Sequence, residues 1–228
     1  MLLGVEAVVL KLVIGNKNYS SWSMRPWVLM TQAGIAFEEV QVWLGESGTA
    51  ANIARHSPSG MVPVLIDADG AREIRVWDSL AICEYLAEKF PAKQLWPADP
   101  AQRARARSVS AEMHSGFTAL RSGMQMNIRN RYPGKGMSPE VAADIARLQS
   151  LWSDCVAAAG GPFLFGSFGI ADAMFAPVVF RLQTYAVALQ GKAAAYVQHM
   201  LAAPALVKLA QLAADEGHAM PRYDGKYA

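Results

Sequence analysis

The chain has 228 residues, enough to bury one large core or two smaller ones. With 53% apolar and 18% charged residues it is not a disordered chain, and a formal net charge of +2 gives no general pull toward nucleic acid or a membrane surface. Its 2 cysteines, Cys83 and Cys155, lie far apart and match no metal-ligand spacing, so no metal is expected and a reducing compartment is favoured over a disulfide scaffold.

Residues 1–8 read as a loose tail, since Glu6 interrupts the apolar start and no basic run precedes it, which argues against a signal peptide. "VLKLVIG" (9–15) reads as a strand, and "SWSMRPWVLMTQAG" (21–34) as a helix closed by Gly34. "EEVQVW" (38–43) alternates as a second strand, and a strand–helix–strand unit of this kind is right-handed with parallel strands. A weaker helix is expected near Thr49 to Arg55. "VPVLIDADGAREIRVW" then holds two strands joined at Asp69-Gly70, a hairpin signal. "DSLAICEYLAEKF" repeats apolar residues with a helical period. The order β-α-β-α-β-β-α is a thioredoxin-like layout.

Pro91, Pro97 and Pro100 mark a linker over 91–100. Beyond it come Ala-, Leu- and Met-rich helical patterns, about five helices with no strand among them. "RARAR" (103–107) spreads its arginines over more than one helical face and reads as solvated. "ADAMFAPVVFRLQTYAVAL" carries Asp172, Pro177, Arg181 and Gln183, which suits a buried helix better than a membrane span. The expected fold is therefore an α/β thioredoxin-like N-terminal domain (9–90), a linker (91–100) and an all-α C-terminal domain (101–228).

Three joints of the first domain converge on one sheet edge. "NYSSWSMRPW" places Ser20, Ser21 and Ser23 at a helix start, where free N–H groups and the helix dipole favour an anion. A thiol held there drops from a pKa of about 8.5 into the range of roughly 3.5 to 7.5. A fall to 6.5 is worth about 2.7 kcal/mol and raises the thiolate fraction at pH 7 from about 3% to about 75%. No cysteine stands at this helix start, so the thiol must come from a ligand. That absence also excludes a thiol–disulfide oxidoreductase. Capping alone is the other reading of these serines. Pro63 before a strand implies either an edge strand or a cis Val62–Pro63 bond, the latter turning the Val62 N–H and C=O outward to pair with an extended peptide. Asp78 and Ser79 form another anion-binding helix start, with Ser79 suited to a carboxylate and Asp78 to an ammonium, or else a simple cap. A peptide with a carboxylate, an ammonium and a central thiol answers all three joints, and glutathione is such a peptide.

"NYSSWSMRPWVLMTQAGIAFEEV", "SPSGMVPVL", "WDSLAICEYL", "LWPADPAQRARARS" and "GIADAMFAPVV" together resemble the glutathione S-transferase superfamily over nearly the whole chain, in its order and spacing. The SSxSxR pattern is most similar to the zeta class, the maleylacetoacetate isomerases. Aligned on Arg25, the zeta-type catalytic serine falls at Ser20 and the theta- and delta-type serine at Ser21; Ser20 is placed first. The resemblance departs at Met61, where many members carry Lys or Gln, at Asp78, shorter than the commoner Glu or Gln, and at Gly169, which replaces a Ser/Thr cap. Gly169 and Asp172, at the N3 position of a capping box, are assigned to folding.

The resemblance implies a cytoplasmic glutathione transferase, with glutathione as co-substrate held along Val62, Pro63, Asp78 and Ser79. Its thiol would be activated as thiolate by Ser20 or Ser21 for attack on a small electrophile, or for a cis–trans isomerisation. It also implies a homodimer, without nucleic-acid or membrane partners. The alternative is a non-catalytic glutathione-binding or regulatory module on the same fold. Met113, Phe117, Leu120 and Met124 on a first long C-terminal helix read as core before substrate wall. His114 and Arg121 are candidates to meet an anionic co-substrate or to be exposed. Asn16 and Lys17 read as a solvated loop, and Ser23 as a helix-turn residue of little consequence if its hydroxyl is exposed.

Overall fold

The computed structural model describes residues 9–69 and 72–227. The expected tail at 1–8 and Gly70 of the expected hairpin turn lie outside these. The first half runs β1 (Val9–Ile14), α1 (Ser21–Ala33), β2 (Glu38–Gln41), α2 (Thr49–Ala54), β3 (Val64–Asp69), β4 (Arg72–Trp77) and α3 (Ser79–Lys89). The sheet order is β2-β1-β3-β4, with β2 parallel to β1 and the other two pairs antiparallel. This is the thioredoxin-like arrangement.

Strand alternation sorts the sheet's two faces. Leu10, Leu12, Ile14 and Leu65 join the main core with α1 and α3, whereas Val13, Val64 and Ile66 pack with Val42 and with Ile53 of α2. A one-residue slip would exchange the two sets, so the register is strongly specified. β3 lies inside the sheet, and Pro63 stands one residue before its first paired position, so its missing N–H removes no ladder bond. The Val62–Pro63 bond is cis. α1 stops at Gly34, whose left-handed backbone (φ 62°) donates to the carbonyls of Met30 and Thr31.

After a 3₁₀ turn at Pro91–Lys93, the remaining elements are helical: α4 (Pro100–Ser115), α5 (Thr118–Gly123), α6 (Pro139–Ala159), α7 (Ile170–Thr184), α8 (Gly191–Ala202), α9 (Pro204–Asp215) and α10 (Pro221–Asp224). Five are long; α5 and α10 are short. α7 is buried along almost its whole length and packs on both α1 and α4, joining the two halves through one core. Among the described residues no helix is long and apolar enough to cross a membrane.

Two expectations need correction here. The first long C-terminal helix ends at Ser115, because Gly116 is extended and Phe117 takes a left-handed backbone (φ 53°) to pack edge-on to Phe175. Met113, Phe117, Leu120 and Met124 are nonetheless all core. The capping box of α7 is only half formed: Asp172 accepts the Gly169 N–H (2.9 Å), but glycine has no side chain to answer. A Cβ at Gly169 would stand 2.8 Å from the Leu95 carbonyl oxygen, which already accepts the Ile170 N–H (3.0 Å). The linker's close approach explains why a hydroxyl cap is absent. Asp172 also accepts the Leu164 N–H, yet burial pushes its carboxyl up to about 6.

Candidate functional site

The loop between β1 and α1 is built from buried polar groups, not the solvated turn expected from its sequence. Asn16 and Asn18 are fully buried; Asn16 accepts the Leu44 N–H through Oδ1 (2.8 Å) and the Ser20 N–H through its carbonyl (2.8 Å). This sets Ser20 as N-cap of α1, its hydroxyl accepting weakly from the Ser23 N–H (3.4 Å) and donating to Ser23 Oγ (2.8 Å). Ser23 is only 2% exposed and also accepts the Gly15 N–H (3.0 Å). It therefore ties the end of β1 to the first turn of α1; the hydroxyl is buried, so the exposure on which its being of little consequence depended is absent. Ser21 is half-buried, and its hydroxyl has no partner among the described residues, nor does the Trp22 N–H. Thus α1 opens with two serines and one free backbone donor.

Across from this end, Val62 has neither backbone group paired among the described residues. Asp78 takes a left-handed backbone (φ 74°) and caps α3, Oδ1 accepting from Leu80 (2.9 Å) and Ala81 (3.1 Å). That leaves the Ser79 N–H as the first-turn donor without a partner among the described residues. The other Asp78 oxygen lies 3.2 Å from His114 Nε2 on α4. Burial holds the His114 imidazole below its usual pKa, with Asp78 opposing and Arg25 and Arg121 reinforcing the shift. Arg25 donates from Nη1 to Ser79 Oγ (3.2 Å) and links the two helix starts; burial, then Arg181 and Arg121, lowers it to about 9.

Two adjoining hollows share Trp22, Met61 and Val62. One, of about 230 Å³, is also lined by Pro63, Asp78 and Ser79. The other, of about 480 Å³, reaches Ser20 and Ser21 on one side and Arg121, Gln125, Arg181 and Tyr223 on the other. All six residues proposed from the sequence, Ser20, Ser21, Val62, Pro63, Asp78 and Ser79, therefore line one or the other of these adjoining hollows. Met61 is 70% exposed at its rim.

The cleft is cationic on its helical side. Arg121 and Arg25 lie over the Trp22 ring, 4.9 and 4.4 Å from its centroid. Arg181 is buried and donates from Nε to the Met124 carbonyl (2.8 Å); no carboxylate pairs with Arg121 or Arg181 among the described residues. Burial, reinforced by Arg121, lowers Arg181 to about 10. Sequence reasoning did not place Arg181 at the site. The available signal was a lone cation within the apolar run of α7, which is costly unless it meets a partner or an anion. Tyr19 borders the same cavity, but its hydroxyl is engaged by Asp224, Arg129 and the Met220 N–H.

Residues 19–89 match the family model described as Glutathione S-transferase, N-terminal domain. The chain is 27% identical over 128 residues to glutathione S-transferase GstB of Escherichia coli, covering 55% of this chain and 61% of that protein. It thus spans about three fifths of the length of the first curated relatives it matches. It is 27% identical over 194 residues to a maleylacetoacetate isomerase of Pseudomonas aeruginosa, covering 79% and 84% of the two chains. A crystal structure of a glutathione transferase homologue from Burkholderia gl BGR1, with bound glutathione, superposes with a TM-score of 0.67 at 25% identity, covering 91% of this chain and 99% of that one.

Proposed function

From the chain's membership of the glutathione S-transferase superfamily, with similarity to its zeta-like maleylacetoacetate isomerases, we propose that it is a glutathione transferase that turns the bound thiol into a thiolate for attack on a small electrophile. The observation that carries this reading is the open start of α1, where Ser20, Ser21 and Trp22 line a cavity adjoining Val62 and Ser79, and the Trp22 N–H has no partner among the described residues.

Glutathione's backbone would pair with Val62, and its γ-glutamyl carboxylate would meet the Ser79 N–H and hydroxyl. Its ammonium would meet the Asp78 oxygen that also faces His114. The sulfur then sits over α1. The thiol proton leaves to solvent on binding, and the thiolate accepts from a serine hydroxyl and the Trp22 N–H, aided by the helix dipole. If Ser20 is the donor, the two hydroxyls rotate so that Ser23 donates to Ser20 and Ser20 to sulfur, each bond polarising the next. Ser21 needs no such rearrangement, having no partner among the described residues to release. The thiolate forms a carbon–sulfur bond as a leaving group departs. In the isomerase-like variant it adds to a cis double bond, the resulting single bond rotates, and the thiolate is expelled.

Arg121 and Arg181 lack carboxylate partners among the described residues and favour an electrophile that carries a carboxylate, which suits the isomerase-like variant. The protein would work in the cytoplasm as a homodimer. Titration calorimetry with glutathione tests the binding half: the wild type binds, and Ser79→Ala binds more weakly because one carboxylate donor is gone. A panel of maleylacetone, an aryl halide and an organic hydroperoxide tests the chemistry. No heat with millimolar-range glutathione and no turnover on the panel would refute the assignment.

A further inference from the structure

The α1 start does not hold its own geometry. The loop leading to it is gripped from outside the first domain by the segment that follows α9. Glu216, buried, accepts the Lys17 N–H with Oε1 and the Asn18 N–H with Oε2, both at 2.9 Å. A carboxylate taking two converging backbone donors makes a charge-assisted pair of bonds. Arg129 fixes the same turn. Its guanidinium donates to the Glu216 and His218 carbonyls and to the Tyr19 hydroxyl (2.7 Å), while its N–H donates to Asn18 Oδ1 (2.9 Å). The His218 ring stacks on Trp43, centroids 3.9 Å apart, and pairs with Glu46, anchoring the segment to the loop after β2.

The single turn of α10 then brings Asp224 back against Tyr19. Its carboxylate accepts from the Tyr19 hydroxyl (2.7 Å), Asn127 Nδ2 (2.8 Å), Asn130 Nδ2 (3.1 Å) and the Met220 N–H (3.1 Å). Tyr19 immediately precedes Ser20, and Lys17 and Asn18 lie within the same turn. Every residue from Lys17 to Tyr19 is therefore bonded to the 216–224 segment or to Arg129, and the next residue is the N-cap serine.

We propose that the segment Glu216–Asp224 is a positioning strap for the thiol-activating start of α1, with Glu216 and Asp224 as its positioning residues. Neither Glu216 nor Asp224 lines the cavity, so neither touches a reacting atom. It fixes the loop so that the serine hydroxyls and the Trp22 N–H point at one spot in the cavity, and it occupies the Tyr19 hydroxyl, leaving the serines to meet the thiol. The inference rests on the reading of Ser20 and Ser21 given above.

Full-length Glu216→Gln and Asp224→Asn variants test it, read in two ways. In Glu216→Gln the Lys17 and Asn18 amides should exchange with solvent at least about tenfold faster, with β1 amides unchanged. In both variants the pKa of glutathione bound to the protein, followed by thiolate absorbance, should rise by about half a unit or more, while glutathione affinity stays within about twofold. A strap that only stabilises the fold would lower the melting temperature without moving the thiol. An unchanged thiol pKa in both variants, whatever the exchange rates, overturns the proposal. If Glu216→Gln does not fold, Asp224→Asn carries the thiol measurement alone. Failure of the wild-type protein to bind glutathione would instead refute the transferase reading, and it would show before any substitution is made.

Discussion

Replacing Ser23 with alanine separates the serine that builds the site from those that face it. The change removes one oxygen from a residue 2% exposed, so it leaves almost no cavity. What it leaves is the Gly15 N–H, now buried without its 3.0 Å acceptor, at a cost of about 1–3 kcal/mol. The Ser20 hydroxyl loses its 2.8 Å partner too, but it lines the cavity, where water replaces that bond at little cost. The sum is about 1.5–3 kcal/mol. For a chain of this size that corresponds to a fall of about 3–12 °C in melting temperature. Ser21→Ala, removing a hydroxyl with no partner among the described residues, should stay within about 0.5 kcal/mol. Urea unfolding with paired thermal melts reads both. A Ser23→Ala variant as stable as Ser21→Ala would refute the claim that Ser23 ties β1 to α1.

Gly169→Ala should destabilise by about 1–3 kcal/mol, since its Cβ would meet the Leu95 carbonyl at 2.8 Å and neither backbone can retreat freely; unchanged urea midpoints would contradict this. Asp172 should make stability fall as pH rises. Its folded carboxyl titrates at about 6 against an ordinary 3.8, so the unfolded chain loses its proton first and stability drops through that window by about 3 kcal/mol. Asp172→Asn should be less stable overall but lack this slope, and an identical slope in the variant would assign it to another group.

The β-α-β-α-β-β-α order was legible because each element announced itself locally: alternation in "VLKLVIG", Gly34 closing α1, and apolar spacing from Leu80 to Ala87. That Ser20, Ser21, Val62, Pro63, Asp78 and Ser79 would come close together was legible for a related reason, since residues at strand–helix joints sit at one end of the sheet and are read in short strings. What was illegible depends on long-range approach. Asn16 reads as a solvated loop residue, yet the Leu44 N–H from beyond β2 pairs with its buried side chain, while its neighbour Asn18 is bonded by Glu216 and Asn127 from the second half of the chain. Ser23 looked like a spare hydroxyl because its partner, the Gly15 N–H, belongs to the strand end folded back over the helix start. Helix spacing ran from Met113 through Met124 without a break, yet Gly116 and Phe117 interrupt it because packing of Phe117 on Phe175 outweighs local propensity. The terminal "EGHAMPRYDG" shows no period at all, and its role comes entirely from the contacts that Glu216 and Asp224 make.

The proposed function requires the start of α1 to activate a thiol through one specific serine. A pH titration of thiolate absorbance, with glutathione bound to the wild type and to Ser20→Ala and Ser21→Ala, tests it directly. The wild-type thiol pKa should lie below about 7.5. It should rise by about one unit or more in one of the two variants, the loss of one charge-assisted hydrogen bond worth about 1.5–3 kcal/mol, with little change in the other. A wild-type value near the free thiol's, about 8.5, or equal small shifts in both variants, would mean that Ser20 and Ser21 only cap a helix.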